Sequence, residues 1–87
     1  MKELGYGLRV VATGDAAGNG AARLRQMLEG TRWVRRVELA RQEPGSAVLQ
    51  ISCVERPAYV VEELRQEPGL EVVRFDAASG EVDVRFR

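Results

Sequence analysis

The chain has 87 residues, 13 of them basic and 13 acidic, with no histidine and one cysteine. That length leaves no room for a second independent core, and the balanced charge gives no overall field to attract nucleic acid or an anionic membrane. No apolar run approaches the roughly 20 residues of a membrane helix, the start MKELGYGLRV lacks a signal-peptide pattern, and a single cysteine cannot staple the fold, so a cytoplasmic location is expected.

Tyr6, Leu8, Val10 and Ala12 alternate with Gly7, Arg9, Val11 and Thr13, a period of two that predicts a first strand. The glycine-rich stretch GDAAGNG (14–20) follows as a loop. Ala17, Ala21, Leu24 and Leu28 then recur at helical spacing, Met27 widens that face, and Gly30 is expected to stop the helix. Trp33 to Arg41 predicts a second strand with Val37 and Leu39 on one side.

The first RQEPG (41–45) supplies turn chemistry, Pro44 presetting φ and Gly45 accepting a positive φ. Ala47, Leu49, Ile51 and Cys53 alternate with Val48, Gln50, Ser52 and Val54, which predicts a third strand with two fairly apolar faces and hence a central place. Pro57 suits a helix start, and Val60, Val61 and Leu64 form that helix's apolar stripe. The second RQEPG (65–69) is expected to end the helix through Pro68 and Gly69. Leu70 to Asp76 predicts a fourth strand, AASG (77–80) a turn, and EVDVRFR (81–87) a half-buried strand at a charged edge.

The expected fold class is α+β: a ferredoxin-like βαββαβ sandwich, with two helices on one face of an antiparallel sheet. The single domain has its core at 6–76, and residues 81–87 add a C-terminal strand in a hairpin. The expected strand order is 4-1-3-2, with the fifth strand beside strand 4. The two RQEPG copies occupy unlike places, strand to strand and helix to strand. The better internal echo is Leu-Arg-Gln at 24–26 and 64–66, which points to two βαβ halves.

Chemistry-bearing residues are sparse. Without histidine, catalysis would need carboxylates, tyrosines, arginines or Cys53, and Cys53 shares the face of Leu49 and Ile51 as a small buried hydrophobe. The carboxylates are scattered, so neither metal nor cofactor is expected, and the protein is read as a non-enzyme. Gly14, Asp15, Gly18, Asn19 and Gly20 are the small-ligand candidates, since backbone N–H groups before a helix can hold an anion. The alternative is a plain loop in which Asp15 or Asn19 caps the helix. The segment has neither the Gly-Lys-Ser/Thr ending of a P-loop nor the dinucleotide fingerprint. Arg32, Trp33, Arg35 and Arg36 are the nucleic-acid candidates, weighed against a solvated, ion-paired strand.

The hydrophobic pattern over residues 6–76, with the phrase PGLEVVRF (68–75), resembles ACT and ACT-like regulatory modules. The resemblance implies a small effector, often an amino acid, bound at the loop after the first strand and frequently across a subunit interface. Metal-chaperone relatives of the same topology carry a Cys-x-x-Cys that this chain lacks.

The expected function is therefore a non-enzymatic interaction or regulatory module, acting through sheet-mediated self-association or a protein partner. Val11, Val48, Val54 and Val73 are the interface candidates on the sheet face that the helices leave uncovered. A ligand sensor using Gly14–Gly20 and RNA binding through the Arg32–Arg41 strand are the alternatives.

Overall fold

The computed structural model of the protein describes residues 6–15, 20–43 and 45–86. In chain order these form β1 (Tyr6–Asp15), α1 (Gly20–Glu29), β2 (Val34–Glu43), β3 (Gly45–Cys53), α2 (Pro57–Arg65), β4 (Leu70–Asp76) and β5 (Glu81–Phe86). The strands make one five-stranded sheet in the order β2-β3-β1-β5-β4.

Alternation within the strands builds the core. Leu8, Val10 and Ala12 of β1, Ala47, Leu49, Ile51 and Cys53 of β3, and Val82 and Val84 of β5 are all buried. They share one cluster with Leu24 and Leu28 of α1 and with Val60, Val61 and Leu64 of α2. Both helices therefore cover the same side of the sheet, as helices with a single apolar stripe must. The class is α+β, as the sequence predicts.

The position of the last strand differs from expectation. β5 lies between β1 and β4, parallel to β1 and antiparallel to β4, so the sheet is mixed and β4 forms the edge. The alternation of Val82 and Val84 with Glu81, Asp83 and Arg85 reports which face meets water, and an interior strand of a one-sided sheet shows the same pattern as an edge strand. Burial separates the two: Val82 and Val84 are almost wholly enclosed, whereas Val73 of β4 is 57% exposed.

The connecting turn fixes this placement. The carboxylate of Asp76 accepts hydrogen bonds from the Ala78 and Ser79 N–H groups, which hold it below its usual pKa. The Gly80 carbonyl then accepts from the Arg9 N–H at 2.8 Å, so β5 starts against β1. Gly80 has φ +70°, and a Cβ there would come within 3.0 Å of the Gly7 carbonyl. Only glycine meets both conditions without strain.

Gly45 takes the positive φ expected of it (φ +81°). α1 ends at Glu29, directly before Gly30, and closes through 3.3 and 3.2 Å bonds from the Gly30 N–H to the Gln26 and Met27 carbonyls. α2 ends at Arg65, the first residue of the second RQEPG, with the Gln66 N–H bonded to the Glu63 carbonyl. On β2, register shifts between Val34 and Arg36 and between Leu39 and Arg41 disturb the pleat, and Leu39 is 41% exposed while Val37 is buried.

Candidate functional site

The uncovered face of the sheet can be read from the register. One row across the strands runs Glu71, Arg85, Thr13, Ser46, Glu43, and the next runs Arg74, Asp83, Val11, Val48, Arg41. A third runs Asp76, Glu81, Arg9, Gln50, Glu38, and a shorter fourth holds Gly7, Ser52 and Arg36. Opposite charges meet across the strands: Arg85 and Glu71 lie 3.0 Å apart and Arg9 and Glu81 3.6 Å apart. Along β2, Arg36 pairs with Glu38 at 2.8 Å and Arg41 with Glu43 at 3.2 Å. The face is a polar checkerboard with a two-residue apolar centre.

That centre is Val11 beside Val48, two of the four interface candidates, and both are half-buried. Val73 lies out on the edge strand β4, and Val54 lies past the end of β3. The four valines are thus not one patch. Both edge strands are also poor templates for pairing, because β2 and β4 each carry register shifts and charged side chains.

A different surface gathers the exposed rings. At the end of the sheet where β1 begins and β3 stops, Trp33 packs against Tyr59 of α2, ring centroids 5.3 Å apart and planes tilted by 40°. The Arg32 guanidinium lies 5.5 Å from the centre of the Trp33 ring, on its face. The Trp33 carbonyl accepts from the Val54 N–H at 2.9 Å, which places Val54 in the same neighbourhood. Tyr6 flanks it, paired in register with Cys53, which in turn pairs with Val34. Three of the large apolar side chains that are exposed, Tyr6 at 46%, Val54 at 43% and Tyr59 at 47%, belong to this end.

Of the nucleic-acid candidates, Arg32 and Trp33 belong to this aromatic end, while Arg35 and Arg36 line a hollow over Gly7 and Ser52 on the polar face. The ligand-loop candidates are only partly placed. Gly14, next to last in β1, has φ +86°, and a Cβ there would press on Arg85 Cγ and the Phe86 carbonyl, each at 3.0 Å. Asp15 closes β1 and Gly20 opens α1, while Gly18 and Asn19 lie outside the described residues. Cys53 is fully buried, and burial pushes its thiol up to about 11. Its neutral thiol at ordinary pH suits packing rather than nucleophilic attack. Among the described residues no group of three or more carboxylates and thiols could hold a metal ion.

The sequence pattern singles out Trp33 and Arg32 but not Tyr59. Tyr59 lies on α2, 26 positions along the chain, and no local pattern marks a contact over that separation. No family model, curated protein or solved structure matches this chain.

Proposed function

We propose that the protein is a non-enzymatic interaction module whose contact surface is the aromatic end formed by Tyr6, Arg32, Trp33, Val54 and Tyr59. The observation that carries this is the trio of Arg32, Trp33 and Tyr59, in which the guanidinium lies over the Trp33 ring and Tyr59, 47% exposed, packs against that ring at a tilt. Trp, Tyr and Arg are the residue types that dominate protein contact energies, because each offers a large rigid area with a polar handle. The checkerboard face is less suited to a protein contact, since covering it would desolvate charges already paired in water. The ACT-like resemblance fits a module of this kind, with a protein partner or a second copy as the occupant.

A photo-crosslinking residue placed at Tyr59 or at Gln50, in cells that naturally make the protein, tests the assignment. Adducts to protein are expected from position 59 and not from position 50. Equal yields, or adducts from position 50 alone, would remove the aromatic end as the contact surface. A second reading, in which the Arg32–Trp33–Tyr59 stack holds unpaired RNA bases, predicts nuclease-sensitive adducts from position 59 instead.

A further inference from the structure

The geometry points to a phosphate-binding site on the polar face, next to the aromatic end with which it shares Tyr6, in the hollow whose polar lining is Gly7, Arg35, Arg36, Gln50 and Ser52. The hollow has a volume of about 470 Å³. Its floor is the fourth cross-strand row, where Gly7, Ser52 and Arg36 sit side by side. Gly7 leaves the depression open: a Cβ there would stand 3.5 Å from Gln50 Nε2, in ordinary contact, so the backbone does not require glycine for space. Nor does Gly7 have a positive φ. What glycine supplies at this position is room above the sheet.

The irregularity in β2 supplies the charge. Val34 is paired with Cys53 and Arg36 with Ser52, so Arg35 is an extra residue inserted into the strand. A bulge at this point re-aims side chains and brings two successive arginines to one rim. Two guanidiniums, a side-chain amide and a hydroxyl offer donors in forked and single geometries, the set that matches a tetrahedral oxyanion. For Arg36 the competing anion is Glu38, 2.8 Å away. Both partners of that pair are more than half exposed, and such surface pairs are weakly held. A doubly charged phosphate can therefore draw the Arg36 guanidinium away from it.

Titration of the protein with inorganic phosphate, followed through backbone amide shifts, tests the site. Saturable shifts are expected at Gly7, Arg36, Gln50 and Ser52. The double variant Arg35→Gln/Arg36→Gln should weaken binding by about tenfold or more. Gly7→Val keeps both guanidiniums but fills the hollow and should weaken binding as well. Arg41→Gln, on the same strand but paired with Glu43 and away from the hollow, should leave it unchanged. Glu38→Gln should tighten it. Shifts that never saturate, or an Arg41→Gln loss as large as that of the double variant, would show diffuse charge and overturn the proposal. So would Gly7→Val binding as the unaltered protein does. Glycerol 3-phosphate identifies the source: tighter binding than inorganic phosphate assigns the hollow to a phosphomonoester, and equal binding to the free ion.

Discussion

The two faces of the sheet are made by the same strands and answer to different physics. On the helix side, the row through Phe75, Val82, Val10, Leu49 and Leu39 is apolar across all five strands, and its three central members are fully buried. On the opposite side, the neighbouring row through Arg74, Asp83, Val11, Val48 and Arg41 is charged at both ends, with only two valines at its centre. The first face obtains its stability from removing apolar area from water. The second arranges charges to cancel one another while remaining hydrated, and exposed pairs of that kind add little. An uncovered sheet face is therefore not by itself a sticky one.

The largest effect should come from adjacent residues on opposite faces of β3. Leu49→Ala should cost about 2–5 kcal/mol, because it removes a fully buried side chain and leaves a cavity. Val48→Ala should cost less than about 1 kcal/mol. Chemical denaturation measures both, and equal losses would break the distinction between the faces.

A thiol reporter sharpens the same contrast from the covered side. Cys53 should resist a thiol reagent in the folded protein and react on unfolding. Burial raises its folded pKa to about 11, above the ordinary thiol value of 9.0, so the folded state holds its proton more tightly. That contribution to stability is fully present below pH 9 and is lost as pH rises toward 11. Stability should therefore decline over this alkaline window in the native protein more than in a Cys53→Ala variant, each compared with its own value near neutrality. An identical decline in the two would remove Cys53 as a cause.

The smallest effect belongs to the charged face. Arg85→Ala removes the 3.0 Å pair with Glu71 and should cost about 0.2–1 kcal/mol, shrinking further at high salt. A larger, salt-insensitive loss would mean that Arg85 supports the fold in another way, for example through its contact side near Gly14.

Much of the fold is legible in the sequence wherever local spacing decides the outcome. The alternation of Leu8, Val10 and Ala12, the Val60–Val61–Leu64 stripe and the Gly45 turn all appear in the structure as the pattern predicts. What is not legible depends on neighbours. Alternation in EVDVRF shows that one face meets water but cannot say that β1 lies alongside, which the Gly80–Arg9 hydrogen bond decides. The bulge that inserts Arg35 is invisible to a period-two reading, and it merely blurs the pattern around Trp33 to Arg36. Strand parity groups the four interface valines as one set, yet the register separates Val11 and Val48 from Val54 and Val73. The Trp33–Tyr59 contact joins a strand's approach to a helix and has no local signature at all.

The most direct test compares amide hydrogen exchange in the chain recovered from its natural cells with bound partners against the chain alone. Added protection is expected around Trp33, Val54 and Tyr59, with none along the rows through Val11, Gln50 and Asp83. Added protection confined to those rows, with the aromatic end exchanging as in the free chain, would contradict the assignment of that end as the contact surface.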